Sequence, residues 1–143
     1  MQALLTNKLH QYISENNPDL LVALEEKNET TLYLNNKLQH INGLLFELTQ
    51  ENKPEYIIEE VCMNALTKDL RPSKYIYVRN ILEEDFKYAF YNFKRLGVLI
   101  YEIINIINFS EDIFKEFEFT EENEDSRVLR YAVTGIISEY LSK

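Results

Sequence analysis

Apolar residues recur at spacings of three and four along nearly the whole chain, and that period predicts α-helices almost throughout. Leu5, Leu9, Tyr12 and Ile13 form a first stripe, closed by Asn16, Asn17 and Pro18. Pro18 also suits the first turn of a short second helix carrying Leu20, Leu21 and Leu24. Thr31, Leu34, Leu38, Ile41, Leu45 and Leu48 follow at spacings of 3, 4, 3, 4 and 3. They predict one helix over about 29–51 with a narrow apolar seam. Asn52, Lys53 and Pro54 punctuate, and Ile57, Ile58, Val61, Cys62, Ala65 and Leu66 mark the next helix.

Pro72 breaks the chain, and Ser73 is placed to cap a helix facing inward through Ile76, Val78, Ile81, Leu82 and Phe86. Its opening, Tyr75 to Val78, has strand-like composition. Residues 79–85 nevertheless continue in good helix formers, and a lone strand would lack a partner. The longest element is expected from 84 or 87 to 108, with Phe86, Phe90, Phe93, Gly97, Ile100, Ile104 and Ile107 on one stripe and Leu99, Ile103 and Ile106 on a second. Ser110 is expected to cap a short turn, and a last helix starts near 125 or 126 with Leu129, Val133, Ile136, Ile137, Tyr140 and Leu141 inward. The expectation is an all-α, single-domain bundle of five to seven helices over 1–143. Its long central helix lies beside the C-terminal one. Gly43, Gly97 and Gly135 all fall inside predicted helices, at about 1 kcal/mol each against alanine, so a close helix crossing is expected over each.

Composition changes little in this picture, whereas charge changes more. With 45% hydrophobic and 13% aromatic residues among 143, the chain is that of a folded domain. Fifteen Lys and Arg against 24 Asp and Glu give a net charge of −9, which argues against a general nucleic-acid binder. A single cysteine, Cys62, excludes an intramolecular disulfide and a multi-cysteine zinc site. The first 17 residues hold no continuous apolar run of the signal-peptide kind. The greasiest stretch, 96–109, is interrupted by Glu102, Asn105 and Asn108 and is shorter than the about 18–20 residues of a spanning helix. A reduced, cytoplasmic setting without membrane contact is therefore expected.

Several segments resemble the DUF1896 family of small uncharacterised proteins from Bacteroidetes. The likeness is carried by Ala65, Leu66, Leu70, Arg71, Pro72, Ser73, Lys74 and Tyr75, followed by Val78, Ile81, Leu82 and Phe86. It continues at the C-terminus in Leu129, Tyr131, Thr134, Gly135, Ile136, Ile137, Tyr140 and Leu141, and near the start in Leu9, Tyr12, Asn17, Pro18 and Leu20. The middle departs from the family, where a tyrosine- and alanine-rich helix is here rich in leucine and asparagine. The resemblance implies an all-helical accessory domain linked to mobile genetic elements, and it implies no catalytic residue.

Reactive side chains are scattered. His10, His40 and Cys62 have no close pairing of metal-ligand spacing, and neither a nucleophile elbow nor a phosphate loop is present. Glu55 and Glu59 share a helix face that reads as solvated. No catalytic residue, metal or cofactor is therefore expected. Two charged segments remain. Residues 71–95 hold six bases against three acids, with Tyr75, Tyr77, Tyr88 and Tyr91 interleaved. Lys74, Arg79, Lys94 and Arg95 are the candidates for nucleic-acid contact there. Residues 110–125 form an acidic connecting segment with eight acids and one base, leaving the remainder of the chain at only −2. Acids mixed with exposed aromatics suit docking onto basic surfaces, so Phe117, Phe119, Glu121, Glu122 and Glu124 are the candidate partner-binding residues; the alternative is a solvated loop whose phenylalanines plug the core. The function expected is a non-catalytic protein–protein interaction, through this segment or a homodimer face. A nucleic-acid-binding accessory protein and an acidic DNA mimic are the alternatives.

Overall fold

A computed structural model describes residues 1–143; its regular structure is all helical, with no strand. Ten α-helices follow in order: α1 Gln2–Asn16, α2 Pro18–Glu26, α3 Thr30–His40, α4 Asn42–Gln50, α5 Glu55–Thr67, α6 Lys74–Asp85, α7 Lys87–Arg95, α8 Leu99–Phe109, α9 Glu111–Glu116 and α10 Arg127–Leu141. A 3-10 turn, Lys68–Leu70, follows α5. The chain divides into two compact units, Met1–Arg71 and Pro72–Lys143. No helix is long and apolar enough to cross a membrane.

Each unit has its own apolar interior. In the first, α1 packs on α2, α3 and α5, and α4 packs on α5. Leu5, Leu9, Ile13, Leu34, Leu38, Ile41, Leu48, Ile58, Cys62 and Leu66 are buried together. In the second, α8 contacts α6, α7, α9 and α10. Ile103 and Ile106 of α8 join Val78, Ile81, Leu82, Phe90, Phe114, Leu129, Val133 and Ile137 in the core. The Ser73 hydroxyl accepts from the Ile76 amide at 3.0 Å, the expected cap, and Ser126 does the same for Leu129 at 3.3 Å. Ser110 does not cap α9. Its buried hydroxyl donates to the Ile106 carbonyl at 2.7 Å.

The helices are more numerous than five to seven because two long ones are broken and the short turn after Ser110 is a helix of its own, α9. The 29–51 helix stops at Ile41, whose amide donates to Leu38 at 3.2 Å in a tightened last turn, and α4 restarts at once. The apolar seam crosses this break undisturbed, since Leu38, Ile41 and Leu48 all stay buried. The long central helix of 87–108 is likewise two helices, α7 and α8, separated at Gly97, which has φ of +75°. Gly97 donates to Lys94 and Val98 to Phe93, at 3.1 and 3.0 Å. That pair of bonds is a Schellman motif, in which the residue after the cap turns left-handed. The same two bonds end α2 at Asn28, α4 at Asn52 and α9 at Glu118, all with positive φ.

The expected helix crossings over the glycines are absent, because a Cβ at Gly43, Gly97 or Gly135 would meet nothing within 4 Å. Their roles differ by backbone alone. Gly97→Ala is expected to destabilise by about 1–2 kcal/mol, the cost of a left-handed Cβ. Gly135→Ala, inside α10, should stabilise by up to about 1 kcal/mol. Urea unfolding of the two variants checks this; equal effects would contradict the backbone argument.

Candidate interaction surfaces of the C-terminal unit

The acidic segment is built on the end of α9. Phe119, the residue after left-handed Glu118, donates its amide to Phe114 at 3.2 Å. Its ring stacks edge-on against Tyr77 at 5.0 Å and lies 5.1 Å from Phe114. Phe114 is fully inside, and Phe117 and Phe119 are half-buried against the same core. Of the two readings of Phe117 and Phe119, exposed docking aromatics or plugs of the core, their packing matches the second: they anchor the segment to its own unit. Asn123 latches the loop. Its Oδ1 accepts from the Thr120 amide at 2.8 Å, and its Nδ2 donates to the carbonyls of Phe117 and Glu118.

What this loop presents outward is charge. Glu121 and Glu122 are exposed and Glu124 is half-buried. The only base, Lys115, lies 3.0 Å from Glu111. Their hydrogen bond lowers the Glu111 pKa and raises that of Lys115. Immediately beyond the loop, Val128 and Tyr131 stand three apart on α10 at 63% and 70% exposure. These are the water-facing apolar groups next to the acids, and the sequence pattern had placed that role on the phenylalanines.

The four nucleic-acid candidates separate into two kinds. On α6, the Lys74 ammonium sits 5.4 Å over the Phe114 ring. The Arg79 guanidinium sits 5.1 Å over Phe90 and 3.8 Å from Glu83. Both are half-buried and engaged within the unit. Tyr75 is buried and Tyr77 half-buried, and burial pushes both phenols above their ordinary pKa. Lys94 and Arg95, in contrast, are exposed at the end of α7.

The surface of α7 is the more informative one. Phe90 and Phe93 point into the core, so Lys87, Tyr91 and Arg95, four apart, and Tyr88, Asn92 and Leu96 form two adjacent outer rows. Tyr88 is 86% and Tyr91 56% exposed. No carboxylate lies on the helix, and the acids just before it are already paired. Arg130 holds Glu84 and Asp85 at 2.9 and 3.1 Å. Arg95 donates to Asn92 at 2.8 Å, which splays its guanidinium along the outer row. Two open grooves flank the helix. One, of about 450 Å³, is lined by Lys87, Tyr88, Tyr91, Asn92 and Arg95. The other, of about 520 Å³, has Phe86, Ala89, Phe93 and Leu141 among its lining residues. Sequence reasoning left Lys87, Tyr88 and Tyr91 out of the candidate set, because a helix running to 108 hides which residues end up outside.

Reactive groups elsewhere do not converge. His10 and His40 are exposed on separate helices, and the His40 Nδ1 lies 2.7 Å from the Asn36 carbonyl. Cys62 is buried, which raises its thiol pKa. Glu59 is ion-paired with Lys8. No group of three or more His, Cys, Asp or Glu side chains is placed to hold a metal ion. The Tyr140 hydroxyl donates to Glu102 at 2.8 Å. Burial and then this bond raise the Tyr140 pKa, which keeps the tyrosine a donor. Comparison with protein-family models, with curated proteins and with solved structures finds no match.

Proposed function

We propose that this chain is a non-catalytic interaction module whose contact surface is the outer side of α7, and whose partner is acidic where it touches. One observation carries the reading: two exposed tyrosines stand among Lys87, Lys94 and Arg95 on a helix without a carboxylate. Tyrosine and arginine contribute disproportionately to binding energy at protein contacts, and tyrosine offers large area at low entropic cost. The flanking acids do not neutralise the patch, since Arg79 and Arg130 hold them. The tyrosines with raised pKa are set that way by burial, as structural residues would be. The resemblance to the DUF1896 family extends the reading to an accessory protein of a mobile genetic element.

Titrating the ¹⁵N-labelled chain with poly-L-glutamate tests the proposal. Amide shifts are expected to concentrate in residues 87–96, and Lys94→Glu/Arg95→Glu should weaken binding by about tenfold or more, given roughly 0.2–1 kcal/mol per exposed charge pair and added repulsion. Unshifted α7 amides, or unchanged affinity in the variant, would contradict it.

A further inference from the structure

The cation-bearing side of α7 does not stop where the helix does. Residues 86–101 hold Lys87, Lys94 and Arg95 and no acid. None of the three cations forms an ion pair, and the acids that bound the run are engaged elsewhere. Arg130 holds Asp85 at 3.1 Å, and the Tyr140 hydroxyl donates to Glu102 at 2.8 Å. Of the thirteen exposed large apolar side chains in the protein, five lie in this run: Tyr88, Tyr91, Leu96, Ile100 and Tyr101. Residues 94–97 are all exposed where α7 ends, and Ile100 and Tyr101 are exposed in the first turn of α8. The left-handed turn at Gly97 ends α7 abruptly, so a leucine, an isoleucine and a tyrosine share one corner with two cations.

We infer that the acidic partner of α7 is the anionic surface of a lipid bilayer, met by this corner from one side. The inference rests on the interaction-module reading and names the occupant of the same surface. The three cations pair with headgroup phosphates. The tyrosines sit at headgroup level, where amphipathic rings are favoured, and Leu96 and Ile100 reach the acyl boundary. A nucleic acid has no use for those two aliphatic side chains, since its bases stack on aromatic and arginine faces. A protein partner in a standard interface buries roughly 800 Å² per side. The outer side of a nine-residue helix, about 13.5 Å long, falls short of that. A bilayer requires no matching relief, only apolar groups among cations. The chain as a whole carries −9, so the same surface repels the remainder and draws in this corner alone. Peripheral contact of this kind needs no spanning helix, so the lack of one does not bear on it.

Co-sedimentation of the full chain with vesicles reads the outcome. At about 0.1 M salt the chain is expected to pellet with vesicles of phosphatidylglycerol and phosphatidylcholine, and about 1 M salt should release it. With phosphatidylcholine alone it should stay in solution. Lys94→Glu/Arg95→Glu should lower the partition coefficient by about tenfold or more. Leu96→Ser, which leaves charge unchanged, should lower it by about threefold or more. Circular dichroism confirms that the variants are folded. The chain has no tryptophan, so Leu96→Trp supplies a single reporter at the corner. Its emission should move to the blue and be quenched by brominated lipid. Phe46→Trp, at an exposed position of the first unit, should show neither effect. Failure to bind the anionic vesicles, equal binding to both compositions, or equal quenching in the two tryptophan variants overturns the inference. If the chain then still binds poly-L-glutamate through α7, only the choice of lipid falls. If it binds neither, the interaction-module reading falls with it. Release of the chain from the vesicles by a single-stranded oligonucleotide also overturns the inference, in favour of nucleic acid.

Discussion

Phe90→Ala is expected to lower the stability of the protein by about 3–5 kcal/mol, the largest loss expected from any single truncation considered. Phe90 has no solvent exposure and is the one fully buried side chain of α7. The guanidinium of Arg79 covers one side of its ring, and Tyr91 meets it edge-on at 5.1 Å. Removing the ring leaves a cavity and strips the arginine of its aromatic platform, two losses that add. Nothing else anchors the middle of α7 at comparable depth. Urea unfolding monitored by far-UV circular dichroism reads the effect. Phe90→Leu should recover most of it, since the volume is nearly restored. A loss under about 1 kcal/mol for the alanine variant would mean that the core can close around the gap.

Phe119→Ala is expected to cost about 2–3 kcal/mol, less than Phe90 because its ring is only half-buried. Its contacts with Tyr77 and Phe114 are those of an edge-packed aromatic cluster, and it follows the left-handed residue that ends α9. Reversing exposed Glu122 to lysine should change stability by no more than about 0.5 kcal/mol, as a surface substitution does. The comparison separates the two roles that one run of sequence merged. Phenylalanine holds the loop, and glutamate faces outward. Thermal unfolding of both variants settles the matter. A stable Phe119→Ala chain beside a destabilised Glu122→Lys chain would invert this assignment.

Helical class, the Pro18 start, the Ser73 cap and the inward faces of α1, α6 and α10 were legible from spacing and capping residues, as was that of α5 except at Val61, which faces out. The break at Ile41 was not. An apolar seam at spacings of three and four continues through it, and outweighs the one local mark, the Asn42-Gly43 pair just after the buried isoleucine. The break at Gly97 did leave one. Lys94 and Arg95 close a helix favourably against its dipole, and glycine two residues on is the usual terminator. The unbroken apolar stripe outweighed that signal. Misreading this end also hid the surface, for the outer rows of α7 are evident only once the helix stops at Arg95. In the acidic loop the sequence located the charge correctly. It could not tell which way Phe117 and Phe119 turn, because that depends on Tyr77 and Phe114 from elsewhere in the unit.

Four helices of this chain end by turning left-handed, and the residues that make the turn differ in kind. Asn28, Asn52 and Gly97 are residue types that tolerate this conformation, while Glu118, at φ of 50°, is not one of them. A Cβ with a long side chain there costs on the order of 1 kcal/mol that glycine would avoid. Of the four left-handed helix ends, the chain thus keeps a long carboxylate side chain at the one that lacks glycine or asparagine. Sites of this kind carry a standing tension between local geometry and surface chemistry. At the root of the acidic loop, that tension has been resolved in favour of negative charge.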